Sequence, residues 1–170
     1  MSLPRVLKNF IVFNDGNAYL GEVPEATPPK LGRKMEEYRA GGMNGPISID
    51  LGMEAMEFEW TSAGYMRSLL LQWGTPTHDG VLLRFVGAIQ ADDVAEVQAV
   101  EIVMRGRHKE IDSGSAKAGE KTEIKVKSTL SYYKLTIDGE VLIEIDFVNM
   151  IEVVGGIDRM AQIRQALGYF

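Results

Sequence analysis

TEIKVKSTLSYYKLTID, Thr122 to Asp138, carries an apolar pattern that changes phase partway along. Ile124, Val126, Leu130 and Tyr132 alternate onto one face, with Glu123, Lys125 and Lys127 opposite; past them the apolar positions become Tyr133, Leu135 and Ile137. Strand side chains have a period of two, so a slip of one residue turns every later side chain to the other face. The flip predicts a bulge near Tyr132-Tyr133, or a strand that leaves one sheet for another. Asp138-Gly139 follows as a hairpin signal, and Glu140 to Met150, containing LIEIDF, reads as the returning strand.

Outward from this hairpin the chain keeps the same style. Phe10–Asn14 (FIVFN) is a short apolar strand closed by Asp15-Gly16, a second hairpin signal, with Asn17–Val23 resuming. Val81–Ala91 and Val97–Asp112 are strands joined through Asp92-Asp93, and Ile47–Trp60 alternates best at its end. Tyr65, Met66, Leu69, Leu70 and Trp73 have helical spacing, with Thr61 or Ser62 as the cap and Gly74 and Pro76 as the stop. Asp158–Leu167 predicts a C-terminal helix with Met160, Ile163 and Leu167 on one face and Gly168 after it. Many strands at hairpin spacing with two short helices predict a mainly β, antiparallel sandwich or barrel. One helix is expected after the third or fourth strand and one at the C-terminus, within a single domain over residues 1–170.

One segment does not fit that rhythm. Pro24–Pro46, PEATPPKLGRKMEEYRAGGMNGP, holds four prolines and four glycines, so regular structure is expected to break repeatedly across it. Connections this long inside a compact domain are usually functional or disordered. Leu31, Met35, Tyr38 and Met43, set among charges such as Arg33 and Arg39, are side chains a purely solvated loop does not need. The segment therefore reads as an arm built to lie on another surface, or else packed back on its own domain.

The composition is that of an ordinary soluble globule: 170 residues, 45% hydrophobic and 25% charged. No apolar run is long enough for a membrane-spanning helix, and MSLPRVLKNF lacks the apolar core of a signal peptide. With no cysteine, disulfide and thiol chemistry are excluded. A formal charge of −6 argues against affinity for nucleic acid, which rests on clustered lysine and arginine.

Chemistry-bearing patterns are few. His108, Glu110 and Asp112 alternate and loosely imitate a metal site, although such a trio is more often a solvated strand face. Gly114–Thr122 approaches a phosphate-binding loop, but Glu120 displaces the lysine and a strand follows where a helix is required. Arg105, Arg107, His108 and Lys109 form a basic cluster diluted by Glu101, Glu110 and Asp112. No catalytic residue, metal ligand or cofactor site is expected.

The ordered set of segments resembles the major tail tube protein family of contractile-tailed bacteriophages. It is carried by GRKMEEYRAGGMNGP, IDLGMEAMEFEW (49–60), VEIVMRGRHKEIDSG (100–114), KAGEKTE (117–123), SYYKLTIDGEVLIEID (131–146) and NMIEVVGGIDRMAQIRQALG (149–168). The resemblance implies a β-sandwich subunit closing into hexameric rings, stacked into a tube inside a contractile sheath. Implied partners are further copies of the chain, sheath, tape-measure protein and baseplate, with DNA passing through without specific binding and no membrane contact. The implied location is the virion, after assembly in the host cytoplasm. Leu31, Arg33, Met35, Tyr38, Arg39 and Met43 become candidate subunit-interface residues, and Glu57, Glu59, Glu123 and Glu144 candidates for the lumen. The alternatives are a tube subunit of a phage-derived bacteriocin or related injection system, and, from another class, a monomeric small-ligand-binding β-barrel.

Overall fold

A computed structural model describes residues 1–169; Phe170, the last residue of the expected domain, lies outside the described residues. Twelve strands and two short helices follow one another among these residues. They are β1 Val6–Asn14, β2 Asn17–Ala18, β3 Glu25–Thr27, β4 Arg33–Tyr38, β5 Ile47–Met53, β6 Met56–Ser62, α1 Arg67–Leu70 and β7 Val81–Gln90. After them come β8 Gln98–Asp112, β9 Ile124–Ile137, β10 Glu140–Asp146, β11 Ile151–Val154, β12 Ile157–Asp158 and α2 Ala161–Ala166. All strand pairings are antiparallel. The fold is mainly β, as the sequence predicts.

The phase flip in β9 organises the whole sheet. Along one edge β9 stays with β8, but along the other it pairs β6 through Ile124–Leu130 and β10 through Tyr132–Ile137. Arg105 faces Tyr132 and Gly106 faces Leu130, which leaves Ser131 as the bulged residue. Both sequence expectations therefore hold at one point: the bulge lies just before Tyr132, and the strand changes partners there. A bulge bends its strand and increases the local twist. The result is a wide layer, β12-β11-β10-β9-β8-β7-β1-β2, continuing around the bend into a narrow one made by the far ends of β8 and β9 with β6 and β3.

The core lies between these layers. Val12, Leu83, Ile102, Met104 and Tyr133 of the wide layer join Phe58, Trp60, Ile124 and Val126 of the narrow one in a single buried cluster. Tyr19 stacks on Trp60 with centroids 5.8 Å apart, and its hydroxyl lies 2.6 Å from the Ser68 Oγ. This inward turn ends β2 at Ala18, where the sequence predicted a strand to Val23. Asp15-Gly16 and Asp138-Gly139 both have positive φ at both positions, the hairpin geometry their sequence signalled.

The arm region is more ordered than its prolines and glycines suggest. It supplies β3, which adds to β6, and β4, which pairs β5 in a separate two-stranded sheet. The run Ile47–Trp60 is cut in two, since β5 belongs to that hairpin and β6 to the core. These additions place the first helix after the sixth strand rather than the third or fourth. It is also a single turn that begins after Met66 with no side-chain cap, because Thr61 and Ser62 are already paired in β6. One turn can bury one flank only: Met66 and Leu69 enter the core, while Tyr65, Leu70 and Trp73 stay outside.

The C-terminal helix starts later than predicted, as Asp158 is held in β12 and its carboxylate accepts from Arg164. The end is as expected: Gly168 adopts φ 73°, with Gly168 and Tyr169 donating to the Gln165 and Arg164 carbonyls. Ile163 and Leu167 are exposed instead of packed. Among the described residues no helix is long and apolar enough to cross a membrane.

Candidate assembly surfaces

Two-stranded hairpins are marginal in water unless a hydrophobic face is covered. The β4–β5 hairpin has such a face, and nothing among the described residues covers it. Tyr38 lies opposite Ile47, Glu37 opposite Ser48, Glu36 opposite Ile49 and Met35 opposite Asp50. Tyr38, Ile47, Ile49 and Leu51 consequently line one side, each between 41% and 54% exposed. Met35, Glu37, Ser48 and Asp50 line the other. Gly52, at φ 109°, allows the extra residue by which Leu51-Gly52 faces Lys34 alone.

The hairpin is fixed at its root. The Arg33 guanidinium bridges Asp50 Oδ2, at 3.0 Å, and the carboxylate of Glu152 on β11, which is buried. The Glu54 amide donates to the Gly32 carbonyl at 2.9 Å. Behind this joint a cavity of about 240 Å³ is lined by Met53, Ile145, Phe147, Met150, Ile151 and Met160. At the tip Arg39 Nε donates to the Met43 carbonyl at 3.3 Å.

The six candidate interface residues are therefore distributed unevenly. Leu31 precedes β4 and is exposed, Arg33 is engaged within its own chain, and Met35 sits on the polar side. Tyr38 is on the apolar side, and Arg39 and Met43 form the tip. Ile47, Ile49 and Leu51 escaped notice because Pro46 looked like the end of the arm. Their signal was present in the period-two alternation of ISIDL, Ile47 to Leu51.

Of the four acidic candidates, the structure brings two together. Glu57 and Glu59 project from β6 into a depression shared with Lys30 and Glu54. Glu57 accepts from Lys109 Nζ at 2.8 Å. Glu123 is exposed just before β9, whereas Glu144 lies on β10 in the wide layer, opposite Lys134. That layer's outer face is mixed in charge. Arg84 lies 3.3 Å from Glu101 and stacks over the Phe13 ring at 4.7 Å. Tyr132 there has its phenol pushed up by burial and by Glu144 and Asp146.

The imitation of a metal site dissolves at a second bulge. His108 pairs Ser128 and Glu110 pairs Lys127, so Lys109 is skipped and the faces exchange. His108 turns into the interior, while Glu110 and Asp112 point to solvent. Neither the metal reading nor the solvated strand face describes the histidine. Its Nδ1 lies 2.9 Å from Ser128 Oγ, and its Nε2 2.8 Å from Gln72 Oε1. Gln72 also donates to Asn14 Oδ1 and Asp15 Oδ2, at 2.7 and 2.6 Å. Because a carbonyl oxygen only accepts, Nε2 carries the proton toward Gln72 and Nδ1 accepts from the serine. Burial pulls the imidazole down to about 4, with Asp15 opposing.

This network holds a second exposed apolar surface in place. Gln72 lies in the turn that follows α1, around which Tyr65, Leu70, Leu71 and Trp73 form an exposed ledge. The ledge adjoins the β1–β2 turn through Asn14, Asp15 and Tyr19 and β8 through His108, whereas the hairpin root adjoins β10 and β11. The hairpin enters β6 at Met56 and the ledge follows its end at Ser62, so the two lie off opposite ends of that strand.

The phage tail tube protein FII family matches residues 4–168. The chain is 47% identical over 171 residues to the tail tube protein of Escherichia phage P2, covering 99% of each chain. It is 39% identical over 153 residues to the major tail tube protein of Serratia phage KSP20, covering 89% of this chain and 88% of that one. Among solved structures, a sheath/tube terminator of the extracellular contractile injection system PVC in the extended state superposes with a TM-score of 0.59 at 11% identity. That match covers 78% of this chain and 96% of the other. The PVC sheath-tube complex gives 0.58 at 10% identity, over 78% and 91%. At such low identity these two establish likeness of fold alone.

Proposed function

The chain belongs to the phage tail tube protein FII family, and from that premise we propose that it is the structural subunit of a contractile phage tail tube. Its role is mechanical rather than catalytic. Copies close into hexameric rings that stack into a tube, enclosed by the sheath and attached to the baseplate. The tube surrounds the tape-measure protein and later serves as the DNA conduit. It forms in the host cytoplasm and ends in the virion. One tube domain with a protruding arm, the β4–β5 hairpin of residues 33–53, is the unit of assembly.

The observation that carries this reading is the β4–β5 hairpin, an apolar ladder held clear of its own domain by the Arg33 joint. An uncovered face of this kind has a purpose only in an assembly. The wide layer ends on β12 and β2 without closing on itself, which disfavours a monomeric ligand-binding barrel. Six copies at −6 each bring −36 to a ring. Such a balance repels the DNA backbone and avoids the salt-sensitive adhesion that lysine and arginine produce.

Electron microscopy of the concentrated protein, with its mass by light scattering, tests the proposal. Hexameric rings or hollow tubes are expected. A protein that stays monomeric even with a preformed tube end or baseplate present would overturn it.

A further inference from the structure

We infer that the apolar face of the hairpin seats on the α1 ledge of a second copy, so that each subunit carries both halves of one head-to-tail joint. The inference rests on the tube reading and specifies which surfaces meet. Among the apolar surfaces that the described residues leave uncovered, two beside structured elements are of matching kind. One is a flat β-ladder of Tyr38, Ile47, Ile49 and Leu51; the other is the ledge of Tyr65, Leu70, Leu71 and Trp73. Leu71 and Trp73 are 73% and 57% exposed. Tyrosine and tryptophan in such a setting are the residues that most often dominate interface energy.

The placement of the two surfaces selects the partner. They lie off opposite ends of β6, the hairpin before Met56 and the ledge after Ser62, and the hairpin root sits against β10 and β11. The Arg33 bridge to Asp50 and Glu152 holds the hairpin at the β11 end, so it is not positioned to cover its own ledge. A contact between two different patches of identical chains is heterologous, and it repeats from copy to copy. The flanking charges agree as well. Lys34 and Glu36 share the hairpin's apolar side and Arg67 lies in α1; among the described residues none of the three makes an ion pair, and Glu36 is the group that Arg67 of a second copy can meet. A second copy supplies both the apolar cover and the opposite charge.

The chain has no cysteine, which makes cross-linking clean. Cysteine pairs are introduced with one member at Ile47, Ile49 or Leu51 and the other at Leu70, Leu71 or Trp73, and the full-length protein is assembled and oxidised. A disulfide forms only where the Cα atoms come within roughly 7 Å, so the nine combinations sample the register of the joint. The expected result is a reducible ladder of multimers from at least one pair. The corresponding single variants mixed in equal amounts should give that pair's dimer only. Trp73 emission should shift to the blue on assembly, since Trp60 is already buried. Normal tubes with no ladder from any pair, and no emission shift, would overturn the joint while leaving the tube reading intact. A disulfide confined to the monomer would overturn it too, because the hairpin would then be reaching its own ledge. A wild-type chain that builds neither rings nor tubes sinks the tube reading and the joint with it.

Discussion

A Cβ atom on Gly106 would lie 2.0 Å from the carbonyl oxygen of Thr129, and that closeness is the corner of the fold. Here β8 crosses the bulge in β9, and the wide layer bends into the narrow one. The obstructing atom is backbone, so no rotamer change relieves the contact.

Gly106→Ala should accordingly be among the most damaging small substitutions. Overpacking a core typically costs about 1–3 kcal/mol, and a backbone clash at a bend belongs at or above the upper end. At this chain length that corresponds to a fall in Tm of roughly 6–12 °C. Thermal denaturation followed by circular dichroism measures it, and a Tm within a degree of wild type would remove Gly106 from this role.

His108 predicts a pH dependence with a definite sign. Its ordinary value of 6.5 is lowered to about 4 in the fold by burial. Above 6.5 both folded and unfolded chains hold it neutral; below that the unfolded chain takes up a proton that the folded chain refuses. Stability from this residue is therefore complete above pH 6.5 and is lost progressively as pH falls toward 4, by at most about 3 kcal/mol. In urea titrations across that window, His108→Gln should have a shallower pH slope than wild type. Parallel slopes would show that the imidazole does not titrate this way.

The hairpin's apolar ladder should matter to assembly and not to folding. Ile49→Asp places a carboxylate at the middle of a face that is exposed in the monomer, so Tm should move by about 1 °C or less. Buried in an interface, the same charge should raise the concentration needed for assembly by about 30-fold or more. Sedimentation across a concentration series reads this. Unchanged assembly would show that the face stays wet in the tube.

Arg33→Ala should free the hairpin without dissolving it. The substitution leaves the Glu152 carboxylate buried without its cation, which commonly costs about 3 kcal/mol or more. Its local signature is faster amide exchange through β4 and β5, with β7 to β9 still protected. Arg33→Ala/Glu152→Gln should recover much of the global stability while the hairpin stays loose. Protection in β4 and β5 equal to wild type would mean that the joint is held by something else.

Glu57 and Glu59 can be tested as parts of a lumen surface. Changing both to lysine breaks the bridge to Lys109 and shifts the charge by +4 per subunit, from two −1 to two +1 groups. If they line the bore, DNA passage through assembled tails should slow and become sensitive to salt while tube yield holds. Ejection at the wild-type rate with normal tubes would place these residues elsewhere.

Particular residues show how far the sequence could be read. The flip between Tyr132 and Tyr133 disclosed the bulge and the change of sheet because a period of two makes a slip visible in the chain itself. The two Asp-Gly turns and the Gly168 stop were legible for the same reason, since each concerns only neighbouring residues. The hairpin was half seen: Tyr38 was identified, but Ile47, Ile49 and Leu51 were assigned to the strand that follows. Nothing local separates a strand that pairs into the core from one that pairs only with its neighbour in an arm. His108 was misjudged because the bulge at Lys109 depends on how β8 meets β9.

By itself, then, the sequence determined what short-range periodicity, turn chemistry and composition can specify: a β-rich antiparallel chain, its principal turns, its arm and its tail tube family. Only the tertiary structure decided which faces are inside. It turned His108 inward and Glu110 outward, bound Arg33 to Glu152 across the chain, and left Tyr38, Ile49 and Trp73 uncovered. Those outcomes depend on strand pairing between residues distant in sequence, and a single chain read in order does not contain the register in which its distant parts will meet.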